Sequence, residues 1–451
     1  MSIPPKPKSR NGRVSLWGYM RLFKADILSA QPERLYSAWM AEFRTPFFRS
    51  YMANDPDLVG TVLKDRPDDF PKSSRVAVGL SPLLGRSVFL TNGAEWRRQR
   101  RMIDPAFDKG RLDEVFPAML GAAEASAARI RKHADTAAID IEKEASHAAA
   151  DVIFRALFSV PVDDGLAADV FRDFAAFQSE QPLLNLRAFV PVPSWVKSVH
   201  RARVRDAARR IRASIARLVD DRLESIERGD APDDLATRLL TTPDPETGQR
   251  FDRDEMIDQV AIFFLAGHET SAAAFSWTLY LLATHPEWQE RVAKEAQEFK
   301  DDFGQIRSLK DTRDVFREAL RLYPPVPMMV RETTRPEVFR KRAIRRGSQV
   351  VVSLWHLHRH ARLWARPDEF APDRWQQDET KQSSRQAFLP FSAGPRVCSG
   401  AGFAMLEGVL LTAIAIRSFR FTADDSRPPV PVARLTVRSK DGIWLRITHR
   451  S

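Results

Sequence analysis

Cysteine is almost absent from this chain: one residue, Cys398, in 451. A single thiol excludes an intramolecular disulfide and any Cys-x-x-Cys metal or redox site, and it fits a reducing compartment. The N-terminus, MSIPPKPKSRNGRVSLW, is polar and proline-rich and lacks an apolar signal or anchor stretch. A cytoplasmic protein with no membrane span is expected from this. There is no internal repeat and no low-complexity tract. No stacking motif or nucleic-acid recognition module accompanies the formal charge of +11. The basic balance therefore points to an acidic partner or surface, not to nucleic acid.

What is present is enough apolar residue for a large core. A composition of 43% hydrophobic and 29% charged residues is that of a globular chain, not a disordered one. Residues 1–110 mix prolines with short strand-like pieces, TPFFRSYMAND and RSVFLTNG. Helical spacing dominates from about 111 to 300. Short strands return after 325: GSQVVVSLW, RFTADD, VARLTVRS and GIWLRITHR. The expected architecture is mainly α with a smaller β-rich part (α+β) made from both ends of the sequence. It reads as a single domain over 1–451, with an extended segment over about residues 1–25.

The longest helix signal is DRDEMIDQVAIFFLAGHETSAAAFSWTLYLLATHP. Asp252 and Glu255 have the spacing of a capping box, and Pro286 marks the start of the next helix. His268, Glu269 and Thr270 interrupt its apolar center. A lipid-facing helix would lose several kcal/mol there, so a buried central helix is expected. Two readings of Glu269 and Thr270 stand: a pair that satisfies itself by hydrogen bonding, or a proton relay beside a cavity. Gly267 would let a ligand approach the backbone.

Glu318 and Arg321 lie three apart in VFREALRLYPPVP, and Arg374 sits in the proline-framed PDEFAPDRW. One carboxylate shared by two arginines would make a buried network; solvated surface pairs are the plainer reading. Cys398 follows a loop containing Gly394, where glycine would let the backbone pack close to a flat ligand, and precedes the helix pattern GFAMLEGVLLTAIAIRSF. A helix N-terminus and Arg396 both favor a thiolate there. By itself the residue is an inert buried thiol or a metal ligand.

The whole pattern Phe391-x-x-Gly394-x-Arg396-x-Cys398-x-Gly400 resembles the haem-binding signature of the cytochrome P450 family. Ala266-Gly267-His268-Glu269-Thr270 resembles its oxygen-activating motif. Glu318-x-x-Arg321, Pro372-x-Arg374-Trp375 and Trp96-x-x-x-Arg100 are similar to three further motifs, in the family's order. The resemblance implies the P450 fold, with haem b between the long central helix and the cysteine loop. It implies Cys398 as the axial iron ligand and Phe391 packed near it. Trp96, Arg100, Arg331 and Arg396 match positions that hold the propionates, and Glu318, Arg321 and Arg374 match a structural triad. Glu269 and Thr270 match the acid–alcohol pair that delivers protons to dioxygen, while His268 is no ligand.

The implied activity is haem-thiolate monooxygenation: hydroxylation or epoxidation of a small apolar substrate. Phe263, Ala266, Val326, Met328 and Met329 are candidate pocket residues, with core packing as their alternative. The loop at about 72–90 and the region near 170–190 match segments that cover the substrate. The stretch after Cys398 is too short for a reductase domain. Electrons, ultimately from NAD(P)H, are expected from a separate ferredoxin, or a flavodoxin, and its reductase. Docking is expected on Arg97, Arg101, Lys381, Arg385 and Arg396. The alternatives are a peroxygenase or isomerase on the same fold, or a non-catalytic haem sensor; the intact acid–alcohol pair argues against all three. His356, His358 and His360 would share a strand face, as metal ligands do, but loop histidines are the expectation. The basic stretch HRARVRDAARRIRASIAR reads as a solvated helix.

Overall fold

The computed structural model describes residues 3–12, 14–44, 49–180, 202–433 and 435–450. Helices dominate and short strands form the smaller part, as the α+β expectation requires. The chain divides into two compact units. One comprises Met1–Pro71, Ala123–Ser146 and Thr270–Ser451; the other comprises Lys72–Ala122 and His147–Glu269. The division falls between Glu269 and Thr270, inside the longest helix.

That central helix runs from Arg253 to Thr284. Its start is a reciprocal capping box. The Glu255 N–H donates to Asp252 Oδ1 at 2.7 Å, and the Asp252 N–H donates to Glu255 Oε2 at 3.1 Å. Pro286 opens the next helix, Pro286–Glu298, where its missing N–H costs nothing.

In the first unit both ends of the sequence meet in one four-stranded sheet. Its order is Met40–Arg44, Arg49–Ala53, Gln349–Ser353, Met328–Glu332. The middle pair is parallel, with Met52 opposite Val351; Arg331 lies opposite Val350 on the antiparallel edge. A second sheet pairs Trp444–His449 with Phe419–Ala423 and with Ile139–Asp140.

Three expectations fail locally, one of them the loop at about 72–90, which holds the helix Ser74–Leu84. The N-terminal extended segment does not reach residue 25, because Leu16–Ala25 is a helix whose Gly18 N–H is capped by Ser15 Oγ at 3.1 Å. RSVFLTNG forms turns: the Ser87 carbonyl accepts the N–H groups of Leu90 and Thr91, and the Val88 N–H donates to Gln259 Oε1, so no ladder forms. The histidines 356, 358 and 360 form no strand: His358 and His360 lie in a turn, as the loop expectation has it, and His356 lies on the short helix before it, Leu354–Leu357; all three are fully buried. His356 Nδ1 is 2.7 Å from Ser353 Oγ, and His358 Nε2 accepts the Leu389 N–H at 3.0 Å.

Burial, reinforced by Arg359 for His356 and by Arg321 for His358, pushes both rings down to about 3. Unfolded, each ring takes up a proton below about 6.5. Stability is therefore expected to fall from pH 6.5 toward 3, by up to about 1.4 kcal/mol per pH unit for each ring. In His358→Gln, acid unfolding should follow a slope shallower by one proton; an unchanged slope contradicts this.

The basic helix, Ala202–Arg228, buries Ile211, Ile215 and Val219. Its Arg209 and Arg210 sit in exposed ion pairs with Asp206 and Asp173. Among the described residues one helix, Ala401–Ser418, is long and apolar enough to cross a membrane, yet 67% of it is buried inside the fold, as a core helix is.

Candidate functional site

Cys398 lies on a loop that closes on itself. Its N–H donates to the Phe391 carbonyl at 2.8 Å, and the Val397 N–H donates to Gly394 at 3.0 Å. The Ala401 N–H then donates back to the Cys398 carbonyl at 3.3 Å, where the helix Ala401–Ser418 begins. Gly394 has φ +69°, and a Cβ there would collide with the Leu63 carbonyl. This glycine serves the loop's approach to its own chain, not to a flat ligand. Cys398 is exposed; Phe391, Arg396 and Gly400 are half-buried.

Glu318 and Arg321 face each other on the helix Lys310–Leu322 and are completely buried. Arg321 Nε donates to Glu318 Oε2 at 2.9 Å and Nη2 to Oε1 at 2.8 Å. Arg374, in the turn Pro372–Gln376, donates from Nε to Glu318 Oε1 at 2.9 Å. The Ala371 N–H adds a further bond to Oε1 at 3.1 Å. The remaining guanidinium donors reach main-chain carbonyls: His358, Pro367 and Glu369 from Arg321, Ala365 and Arg366 from Arg374. Burial would push the Glu318 carboxyl up; Arg321 and Arg374 outweigh it and hold it below the usual carboxylate range. The sequence named these three residues, and the structure joins them in one network.

On the central helix Glu269 is buried and Thr270 half-buried. His268 is fully buried, stacked on Phe264 with centroids 5.2 Å apart and met edge-on by Phe171 at 5.5 Å. It is a packed ring. The Cβ position of Gly267 is filled by Ile153, so this glycine admits the helix Ile141–Phe158; the ligand approach expected there is not what the space serves. Ala266 is exposed although the helix around it is apolar.

Among the other pocket candidates, half-buried Phe263 meets Phe107 at 5.3 Å, Val326 is 37% exposed and Met328 is half-buried. Met329 packs on the core cluster around Phe70 and Val352, which favors its core reading. Of the region near 170–190, residues 181–190 lie outside the described residues.

The candidate propionate residues have different surroundings. Trp96 is 8% exposed on the helix Gly93–Ile103. Arg100 pairs with Asp104 at 2.9 Å. Arg98 and Arg101 are committed to Glu255 and to Asp244 with Glu246. Arg331 is 6% exposed and, among the described residues, donates to its neighbor, the Val330 carbonyl, at 3.2 Å. Among the described residues no carboxylate pairs with it, and burial lowers it to about 10.

Sequence reasoning missed one buried polar contact. Ser271 Oγ donates to Glu407 Oε2 at 2.5 Å, from the central helix to the helix Ala401–Ser418. The available signal was a single acid inside the apolar run MLEGVLLTAIAI.

Haem fits the residues of the first unit on two grounds. An exposed cysteine is held by its own amide just before a helix N-terminus. A buried guanidinium with no carboxylate partner among the described residues is a cation that a propionate would neutralize.

The family model described as Cytochrome P450 matches residues 39–445. Cyclooctat-9-en-7-ol 5-monooxygenase of Streptomyces melanosporofaciens is 32% identical over 385 residues, covering 84% of this chain and 82% of that protein. Cytochrome P450 4A14 of Rattus norvegicus is 30% identical over 415 residues, covering 87% and 80%. Cytokinin hydroxylase of Arabidopsis thaliana is 29% identical over 376 residues, covering 81% and 72%. Among solved structures, the heme domain of cytochrome P450DA superposes with a TM-score of 0.83 at 23% identity, covering 100% of this chain and 98% of that one; this likeness speaks to the fold. With the family model running across most of its length, this chain belongs to the cytochrome P450 family and is an oxidoreductase of the monooxygenase class.

Proposed function

We propose that the chain uses dioxygen to hydroxylate or epoxidize a small apolar organic substrate, with electrons from a separate protein. The observation that carries this reading is Cys398, exposed and fixed by its amide ahead of a helix N-terminus. Haem b, when bound, supplies reductive activation of dioxygen, and a thiolate ligand favors O–O cleavage. Cys398 would hold the iron, with Phe391 and Gly400 shaping its loop. Arg331 and Arg396, with Trp96 and Arg100, would hold the propionates. Thr270 Oγ1 would hold and deliver a proton, and the Glu269 carboxyl would restore it through water. Glu318, Arg321 and Arg374 would fix the backbone and take no part in chemistry. Phe263, Ala266, Val326 and Met328 are apolar residues available to a greasy ligand.

The test is an optical titration of the haem-loaded chain with fatty acids, terpenes, steroids and substituted aromatics. A Soret band that shifts to shorter wavelength with one class identifies the substrate class. Failure to bind haem after reconstitution overturns the proposal.

In Thr270→Ala, product formed per electron is expected to fall about tenfold while hydrogen peroxide rises and KM stays within about twofold. Unchanged coupling contradicts the relay.

The electron donor is proposed to be an acidic ferredoxin, with a flavodoxin as the alternative, recharged from NAD(P)H by a reductase. Of the expected docking residues, Arg101 pairs with Asp244 and Glu246, and Lys381 pairs with Asp378. Lys381, Arg385 and Arg396 belong to the first unit, where Lys381 and Arg385 are exposed on the helix Asp378–Ala387; Arg97, also exposed, and Arg101 belong to the second. Arg385→Glu should raise the KM for the donor about three- to tenfold, more at low salt. A KM equal to wild type at every salt concentration contradicts this surface. A cytoplasmic single domain belongs to the same proposal, supported by the lone cysteine.

A further inference from the structure

Glu407 stands in the second turn of the helix that follows the Cys398 loop. It is 1% exposed, and among the described residues no cation pairs with it. Its Oε2 accepts the Ser271 hydroxyl at 2.5 Å; its Oε1 is buried with no hydrogen-bond partner among the described residues. Ser271, itself 8% exposed, directly follows Thr270. The residue after Glu407, Gly408, is overlain so closely by the Phe316 ring that a Cβ would collide with it, so the two helices pack without a side chain between them there.

Stability does not explain a carboxyl at this place. A leucine of similar volume would bury without desolvation cost and without an unpaired oxygen. What a single buried polar contact adds to an apolar helix interface is register: smooth side chains tolerate sliding, whereas one short hydrogen bond does not.

We propose that Glu407 is a positioning residue for oxygen activation, which through Ser271 sets the Thr270 turn of the central helix against the helix leading from Cys398. The inference rests on the monooxygenase reading above. Burial pushes the carboxyl up to about 8, so the tie is neutral at neutral pH and places no bare charge among the apolar side chains. Glu407 touches no reacting atom; it acts through Ser271 on the neighboring hydroxyl.

The test compares Glu407→Gln, Glu407→Leu, Ser271→Ala and the double variant Ser271→Ala/Glu407→Leu, all in the full chain. The first readout is infrared absorption, which needs no turnover. Wild type should show the carbonyl band of a protonated, hydrogen-bonded carboxyl. Glu407→Gln should lose it, and Ser271→Ala should move it to higher frequency.

The second readout is product per electron with a surrogate ferredoxin system. Glu407→Leu and Ser271→Ala should each lower it roughly three- to tenfold, the range a single hydrogen bond carries, at unchanged KM. The double variant should be no worse than either single one. Glu407→Gln, which keeps a hydrogen-bonding group of the same size, should stay within about twofold of wild type. An infrared band unmoved by Ser271→Ala, normal coupling in Glu407→Leu, or additive losses in the double variant would overturn the proposal.

A chain that binds haem but oxidizes nothing would refute the monooxygenase reading instead. The tie would then be judged by the infrared band and by non-additive losses in thermal unfolding. Additive losses there would overturn it as well.

Discussion

Cys398→Ser is expected to give a folded chain whose turnover has dropped by roughly a thousandfold or more, the scale seen when one member of a catalytic unit is removed. The loop should survive the change. Its closure rests on main-chain bonds, Cys398 N–H to Phe391 and Ala401 N–H to Cys398, which serine keeps. Gly394 and its contact with Leu63 are likewise untouched. What serine removes is the soft, easily ionized sulfur that can stay on iron and donate electron density to it. The measurement is turnover with the preferred substrate, beside an unfolding curve that shows the fold intact. A serine variant with wild-type turnover would mean that the sulfur plays no part in the chemistry.

The second large effect is on folding. Glu318→Leu should cost about 3–5 kcal/mol, because it strands two guanidiniums in a site that is closed to water. Arg321 is 0% exposed and Arg374 is 2% exposed, and both lose their only carboxylate among the described residues. Main-chain carbonyls would still accept their outer donors, but no group would balance the charge. The matching triple variant, Glu318→Leu with Arg321→Met and Arg374→Met, should cost less than the sum of its parts, since it removes the charges together. Denaturant unfolding of the single and triple variants reads this out. A Glu318→Leu variant as stable as wild type would show that the network carries no structural load. Acid should act in the same direction. The Glu318 carboxyl is held below its usual range, so its contribution is present above about pH 4.5 and is lost as pH falls through the folded value.

Sequence spacing made the local devices legible. The Asp252–Glu255 capping box, the Pro286 helix start and the Glu318-x-x-Arg321 pair are one-turn features, and each formed at the expected residues. Arg374 was legible only as a member of a motif, because nothing in spacing tells a chain that a turn fifty-odd residues on will close over the same carboxylate. The glycines were misread for a related reason. Gly267 and Gly394 both permit a close approach, but the approaching group is Ile153 in one case and the Leu63 carbonyl in the other, and long-range packing chose it. RSVFLTNG holds a short run of strand-forming residues, yet it finds its hydrogen bonds in turns and on Gln259. The histidines 356, 358 and 360 alternate, and a helical turn removes the common face they would have shared on a strand. Glu407 went unnoticed because its partner, Ser271, sits on a helix far away in sequence.

One measurement bears most directly on the assignment of Cys398 as the haem ligand: the carbon monoxide difference spectrum of the reduced, haem-loaded chain. A Cys398 thiolate on the iron should give a red-shifted Soret band, absent in Cys398→Ser. A band at the position of a histidine-ligated haem, or one that persists unchanged in Cys398→Ser, would contradict it.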